Sequence, residues 1–112
     1  MRISVFTASL LLGLLLISGC ARSEPVPKTA LITIEKIDAT DEWRPSVVAI
    51  AKGGTVTWKN TSLVLVHSVI SGEGLFNEKI SAGESFKYTF TQIGTFTYHD
   101  EAFTAAGTIY VK

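Results

Sequence analysis

The chain contains very little sulfur, with one cysteine and one methionine in 112 residues. A single cysteine, Cys20, excludes any disulfide within the chain, so the folded part must be held together by its apolar core alone. An excess of positive charge is also lacking, because ten Lys and Arg balance ten Asp and Glu. No basic stripe is present that would bind nucleic acid.

Enzyme motifs are absent as well. The sequence has no nucleophile elbow, no paired-histidine zinc motif and no phosphate-binding loop. Ser68 directly follows His67, but adjacent residues of a strand point to opposite faces, so the two are not expected to form a catalytic dyad. We therefore expect no enzymatic activity.

The first 19 residues have the layout of a secretory leader. Arg2 supplies a positive start, residues 3–16 are mostly apolar, and small residues precede Cys20. The apolar stretch is too short for a comfortable transmembrane helix, which needs about 20 such residues.

Residues 17–20, Ile-Ser-Gly-Cys, resemble the bacterial lipobox. The resemblance implies cleavage before Cys20, a lipid on its sulfur and acylation of the new amino group. The alternative is an ordinary signal peptide with a cysteine at its cleavage site, which would leave a free thiol. Ala21 rather than Asp follows the cysteine, which implies the outer membrane if the cell is diderm. We expect an exported protein, lipid-anchored at the periplasmic face of the cell envelope.

Three regions follow from these signals: a leader (1–19), a lipidated cysteine with its tether (20–30) and one domain (31–112). Pro25 and Pro27 favour extended backbone in the tether. Removal of Arg2 with the leader leaves nine Lys and Arg against ten Asp and Glu. We expect a monomer that contacts the membrane through its lipid and has an envelope protein as a possible partner.

From Leu31 onward the hydrophobic pattern has a period of two, as in Phe86-Lys87-Tyr88-Thr89-Phe90. Glycine-containing turns separate the segments. No window shows a helical stripe. The pattern predicts seven short strands, at Leu31–Ile37, Ser46–Ala51, Thr55–Asn60, Val66–Ser71, Glu84–Thr91, Thr95–Asp100 and Gly107–Val111.

Seven such strands favour an antiparallel sandwich or barrel. An immunoglobulin domain is disfavoured, because no cysteine pair flanks Trp58. Trp43 precedes the core strands and is a candidate cap, whereas Leu63–Val66 is either a buried cap or an exposed apolar rim. The aromatic residues expected in the core are Trp58, Phe86, Phe90, Phe96 and Tyr98.

Five segments, taken in order, resemble the plastocyanin-like branch of the cupredoxin family. The resemblance implies an all-β, Greek-key β-sandwich of about seven to eight strands over residues 31–112, and a family role in copper-dependent electron transfer. The segments are Gly54–Asn60 before the first copper-ligand His, His67–Val69 at that His, Ala82–Phe90 in the middle, Gly94–Tyr98 entering the copper loop, and Gly107–Val111 at the close.

The copper loop departs from the family pattern. Asp100 stands at the Cys position, Phe103 at the second His position and Ala106 near the Met position, so His67 alone remains of the four ligands. A blue-copper centre needs a thiolate. Because Cys20 lies at the tether and Met1 leaves with the leader, the sequence excludes a type 1 copper site within one chain, unless Cys20 is unmodified and can reach the site.

Strand parity leaves three possibilities for the remaining polar residues. If Phe96 and Tyr98 face the core, Asp100 also points inward, toward His67, whereas His99 and Glu101 lie on the other face. The first possibility is a structural hydrogen bond between His67 and Asp100. The second is a non-blue copper or zinc site of His67 and Asp100, joined by His99 or Glu101 through bending at the strand end. The third is no contact at all.

The leader, the lipobox-like segment and the altered copper loop predict a lipid-anchored accessory or interaction module without type 1 copper. The alternative function is copper handling or electron transfer through the non-blue site. A third hypothesis is an adhesion or envelope-assembly domain that uses Leu63–Val66 as an apolar contact patch.

Overall fold

The structure, a computed structural model, describes residues 25–112. The predicted leader, Cys20 and the first residues of the tether lie outside this part. Within residues 25–112, no helix is long and apolar enough to cross a membrane. The first strand begins at Thr29, two residues before the predicted domain boundary, because the backbone of Thr29 and Ala30 pairs with the strand that begins at Thr55.

Nine strands form two sheets. The four-stranded sheet has the order β2-β1-β4-β7, and the five-stranded sheet has the order β3-β9-β8-β5-β6. The strands are β1 (Thr29–Ile37), β2 (Thr40–Arg44), β3 (Val47–Ile50), β4 (Thr55–Lys59), β5 (His67–Ser71), β6 (Asn77–Ile80), β7 (Ser85–Thr89), β8 (Gly94–His99) and β9 (Ala106–Val111).

All seven predicted strands are present, with bounds within two residues of those expected. The structure adds β2 and β6, which the pattern did not indicate. Each has one fully buried apolar residue, Trp43 in β2 and Ile80 in β6, and each lies at the edge of its sheet. A single buried position does not produce an alternation, so the two strands left no periodic signal.

The sheets are mixed rather than antiparallel, which corrects the sequence-based expectation. β1 pairs with β4 in parallel, and β9 pairs with β3 in parallel, while the other neighbouring strands are antiparallel. Alternation reports which face of a strand is buried and contains no information on the direction of its neighbour.

The core lies between the two sheets and is rich in aromatic rings. Trp58, Phe90 and Tyr98 are buried, and Phe86 and Phe96 pack against them half-buried, as expected. The Trp58 ring lies 5.2 Å from the Tyr98 ring and 5.8 Å from the Phe86 ring, between centroids. Edge and stacked contacts of this kind add to the stabilisation from buried area.

Trp43 belongs to this core rather than capping it. Its side chain is fully buried, and its indole N–H donates to the backbone oxygen of Ser68 across the sandwich at 3.4 Å. The prediction that Trp43 precedes the core strands was wrong, because the sequence pattern did not indicate β2.

The sandwich has two distinct ends. We call the end where β1 begins the tether end, and the end where β1 finishes the site end. The tether end comprises the backbone at 27–28, the turns at 51–54 and 90–93, and Lys112. The site end comprises the turn at 38–39 and the connections at 60–66, 81–84 and 100–105.

Tyr98 and Gly107 form a cross-strand pair between β8 and β9. The Tyr98 hydroxyl lies directly over Gly107, and burial raises the pKa of this tyrosine to about 12, so the phenol is uncharged in the core. A Cβ atom added at Gly107 would overlap the hydroxyl and lie 2.6 Å from the backbone oxygen of Ser46. This position requires glycine because of close approach.

We therefore expect Gly107→Ala to lower the free energy of unfolding by about 1–3 kcal/mol, since neither the buried ring nor the backbone can move away freely. Urea denaturation followed by tryptophan fluorescence measures the effect. Ala106→Ser, an exposed neighbouring change that also adds one heavy atom, is the control and is expected to change stability by less than about 0.5 kcal/mol. Equal stability of the two variants would contradict this account of Gly107.

Candidate functional site

A buried histidine and a buried aspartate meet at the site end. His67 is the first residue of β5 and is 1% exposed, and Asp100 follows β8 directly and is 3% exposed. The two strands are antiparallel neighbours, so the start of one lies beside the end of the other. His67 Nδ1 lies 2.6 Å from Asp100 Oδ2. Asp100 therefore points inward toward His67, as strand parity indicated.

The second oxygen of Asp100 is held from two directions. Ser68 Oγ donates to Oδ1 at 3.0 Å, and the backbone N–H of Ala102 donates to the same atom at 3.2 Å. The backbone N–H of Glu101 donates in turn to Ser68 Oγ at 2.7 Å. The carboxylate is thus hydrogen-bonded on both oxygens, which is what a buried acid requires.

Ser68 was missed by the sequence analysis as a member of this site. We excluded it as a catalytic partner of His67 because of strand alternation. In the structure both side chains reach the same carboxylate, Ser68 through Oδ1 and His67 through Oδ2. The hydroxyl hydrogen goes to Asp100 rather than to the imidazole, so the arrangement does not activate Ser68 as a nucleophile.

Asp41 is a second acid that sequence reasoning missed. Its Oδ2 lies 3.3 Å from His67 Nε2, and its Oδ1 lies 3.0 Å from Lys36 Nζ. Within the described residues, His67 Nε2 is buried and has no hydrogen bond of acceptable geometry, although the Asp41 carboxylate lies beside it. The sequence contained one signal for Asp41. It lies two residues before Trp43, and residues two apart in a strand share a face, so a buried Trp43 places Asp41 on the inner face.

Two aromatic rings enclose the imidazole. The Phe103 ring lies 4.5 Å from the His67 ring, and the Trp43 ring meets it edge-on at 6.0 Å, between centroids. These contacts, with the carboxylates at both nitrogens, leave His67 without water on most sides. The imidazole is packed as a core residue that has polar partners.

His99 and Glu101 are not brought to the imidazole. Both residues are exposed, and Glu101 contributes its backbone N–H rather than its carboxylate to the network. Within residues 25–112, no three or more His, Cys, Asp or Glu side chains are grouped so that they could hold a metal ion. A metal-binding role for His67, Asp100, His99 or Glu101 stays a prediction.

Solved structures of cupredoxins match this domain. A purple cupredoxin from Nitrosopumilus maritimus is 26% identical, with a TM-score of 0.64 over 74% of this chain and 99% of the other. Amicyanin from Paracoccus versutus is 22% identical, with a TM-score of 0.63 over 80% and 92% of the two chains. The reduced Cu(I) form of an amicyanin variant is 21% identical, with a TM-score of 0.63 over 83% and 88%. No protein-family model matches the sequence.

The domain has a cupredoxin-like fold. This confirms the resemblance drawn from the sequence and the β-sandwich that it implied. In this cupredoxin-like domain, the positions that the resemblance assigns to three copper ligands are His67, Asp100 and Phe103, and the three side chains contact one another through His67.

The residues at these positions do not fit a type 1 copper ion. Such a centre needs a thiolate and two imidazoles around the metal. Here an aspartate and a phenylalanine stand in two of the places, and the imidazole Nδ1 is hydrogen-bonded to the aspartate. The chain's two sulfur atoms belong to Met1 and Cys20, which lie outside the described residues. These residues form a buried hydrogen bond rather than a set of ligands for type 1 copper.

Removal of one partner from this pair should be strongly destabilising. We expect His67→Ala to lower the free energy of unfolding by about 3–5 kcal/mol, because Asp100 would keep a buried carboxylate without its closest partner. Thermal and urea unfolding measure the loss. His99→Ala, at an exposed histidine, is the matched control and should change stability by less than about 0.5 kcal/mol.

A double-mutant cycle separates the pair from its surroundings. His67→Leu with Asp100→Leu should lose less stability than the sum of the two single variants, with a coupling energy of about 1–3 kcal/mol. Additive losses would show that the hydrogen bond does not link the two residues energetically.

Proposed function

We propose that this protein is a lipid-anchored cupredoxin-like module of the cell envelope that acts through protein interaction rather than through a blue-copper centre. One observation carries the proposal: the 2.6 Å hydrogen bond between His67 and Asp100, buried at the positions that correspond to copper ligands. The pair satisfies the Asp100 carboxylate and His67 Nδ1 within the protein, so these atoms do not require a metal ion.

The apolar rim (Leu63–Val66) supports the interaction role. It connects β4 to β5 at the site end, and Leu63 and Val64 are 93% and 82% exposed. The sequence analysis allowed either a buried cap or an exposed rim, and the side chains are exposed. The Asn60 side chain orders the connection, since it donates to the Leu65 backbone oxygen at 2.8 Å. Ordered, exposed apolar residues mark contact sites.

Open cavities flank the rim on two sides. One of about 340 Å³ lies between the rim and the end of β1, and another of about 360 Å³ lies between Leu65 and the β8–β9 connection with Phe103. The rim therefore projects between two concave surfaces. A partner would have apolar side chains to fill these cavities and a hollow to receive Leu63 and Val64.

The anchor rests on the sequence. A positive residue, an apolar run and a lipobox-like Ile-Ser-Gly-Cys occur in the order expected of an exported lipoprotein. The tether begins at Cys20 and joins the domain at Thr29, so the module is held near the membrane by a short connection.

Non-blue metal binding is the second candidate function. The observation in its favour is His67 Nε2, which is buried without a hydrogen bond and lies 3.3 Å from the Asp41 carboxylate. An imidazole nitrogen with a carboxylate suits Cu(II) or Zn(II). The 3.0 Å contact of Lys36 with Asp41 opposes it, because an ammonium group competes with a cation for the same acid.

A metal titration separates the two functions. We expect the chain from Cys20 onward, with its thiol blocked, to develop no intense blue band with Cu(II) and to show no rise in melting temperature with Cu(II) or Zn(II). A metal that binds only the folded form would raise stability by mass action. Saturable binding that is lost in His67→Ala and kept in His99→Ala would instead establish the metal function.

The double variant Asp100→Cys/Phe103→His serves as the positive control for the spectrum. It restores a thiolate and a second imidazole around His67, and we expect an intense thiolate-to-copper band. An intense blue band in the unaltered chain would overturn the proposal.

Interaction through the rim is tested by Leu63→Ser/Val64→Ser. Because both side chains are almost fully exposed, we expect an unchanged melting temperature and loss of the partner cross-linked in the cell envelope. Val47→Ser, at an apolar residue of β3 that is 56% exposed and lies outside the rim and the tether end, is the matched control and should keep the cross-link. Equal cross-linking of all three proteins would contradict the role of the rim.

A further inference from the structure

The tether end of the sandwich is basic. Lys28, Lys52 and Lys112 are exposed there, and the acid of the adjoining β5–β6 turn is Glu73, in the same turn as Leu75, which lines one cavity with Thr91 and Gln92. This end is positive although the whole chain has no net charge. Arg22 and Glu24, which precede the described residues, add charges that cancel.

Backbone hydrogen bonds hold the three lysines around one turn. The N–H of Thr55 donates to the Lys28 backbone oxygen at 2.9 Å, and the N–H of Lys52 donates to the Lys112 backbone oxygen at 3.0 Å. The N–H of Ala51 also donates to the Pro27 oxygen at 2.8 Å. The lysines therefore extend from one rigid surface. The argument rests on Lys28 and Lys52, because a carboxylate beside Lys112 would cancel the positive charge of that lysine.

Five of the nine acids among the described residues lie at the opposite end. The carboxylate of Glu73, in the β5–β6 turn, accepts hydrogen bonds from Thr97 N and Oγ1 at 3.0 and 3.3 Å, part-way along β8. Lys36 and Lys59 also lie at the site end, beside Asp41 and Gly83, so the two ends differ in their balance of acids and lysines rather than by a complete separation of charge. The acids within or beside the connections of the site end are Asp38, Asp41, Glu84, Asp100 and Glu101.

An exposed apolar side chain lies on the same basic surface. Ile93 is 68% exposed in the turn between β7 and β8. Two backbone hydrogen bonds join that turn to the turn that contains Lys52. The N–H of Gly53 donates to the Phe90 oxygen at 2.7 Å, and the N–H of Phe90 donates to the Gly54 oxygen at 2.9 Å. An apolar residue among lysines is the combination that favours the headgroup layer of a membrane.

The length of the tether decides which end can meet the membrane. Thr29 is nine residues after Cys20, so the connection spans at most about 30 Å when fully extended. β1 itself, with nine residues, spans a similar distance of about 30 Å from the tether end to the site end. The tether end can therefore touch the bilayer with slack, whereas the site end would need the whole tether stretched back along the domain.

We infer that the tether end is a docking surface for anionic lipid headgroups of the membrane that holds the anchor. The inference rests on the proposed anchor at Cys20 and adds a second contact to it. Each lysine at an anionic surface raises membrane affinity about fivefold, so the basic surface adds a contact that orients the anchored domain. The docked domain presents the site end and the apolar rim about 30 Å from the membrane surface.

The test uses the chain from Cys20, which keeps both sheets and the entire core, with one saturated acyl chain attached chemically to the thiol. Its partitioning is measured by co-sedimentation with vesicles of phosphatidylcholine alone and with vesicles enriched in phosphatidylglycerol. We expect binding at least about tenfold tighter to the anionic vesicles, and a decrease of that preference with added salt. We expect Lys28→Glu/Lys52→Glu to abolish the preference.

Lys79→Glu/Lys87→Glu is the matched control, because it makes the same change in net charge at exposed positions away from the tether end. It should keep most of the preference. An equal loss in both double variants would mean that net charge alone acts, and an unchanged preference in Lys28→Glu/Lys52→Glu would mean that this end does not dock; either result overturns the inference. If the first variant does not fold, Lys28→Gln/Lys52→Gln answers the same question.

The chemical acyl chain makes the result independent of lipidation in cells. Cellular lipidation is examined separately, by detergent-phase partitioning of the full chain and of Cys20→Ala. If the full chain is not lipidated in cells but the acylated protein prefers anionic vesicles, the proposed anchor is wrong and the basic docking surface stands. If the full chain is lipidated but shows no preference for anionic vesicles, the docking surface is wrong and the anchor stands.

Discussion

The site end depends on one short, buried hydrogen bond between His67 and Asp100. It connects the first residue of β5 to the residue after β8, and Asp100 then organises the β8–β9 connection through Ser68 and the backbone N–H of Ala102. A buried acid without such partners is expensive, so the network and the local backbone stabilise each other. The Trp43 and Phe103 rings exclude water from the imidazole and strengthen the interaction.

This interaction shows how two polar side chains at one end of a cupredoxin-like sandwich can be paired within the protein. A metal centre at the end of a sandwich gathers polar side chains from several strands and satisfies them together. Here an acid takes the thiolate position, and a phenylalanine takes an imidazole position, so the remaining histidine bonds to protein instead. Asp41 adds a second negative charge beside the other nitrogen. The fold therefore keeps the framework of its structural neighbours with a different chemistry at one end.

The two ends of the domain have opposite physical character. The tether end is basic and joins the chain to its proposed lipid, and the site end has the buried acids, the apolar rim and two open cavities. In a membrane-held module this polarity gives each end a separate task. In the proposed arrangement, the basic end would orient the domain by long-range charge, and the rim would offer short-range apolar contact to a partner in front of the membrane.

The sequence by itself determined what composition and alternation can report. The position of the one cysteine, outside residues 31–112, predicted a site without a thiolate, and the parity of Phe96, Tyr98 and Asp100 directed the acid inward because alternate strand residues share a face. Tertiary structure alone decided the pairing of β1 with β4, the existence of β2 and the meeting of Asp41 with His67. These depend on contacts between segments far apart in sequence, and local periodicity carries no record of which strands become neighbours.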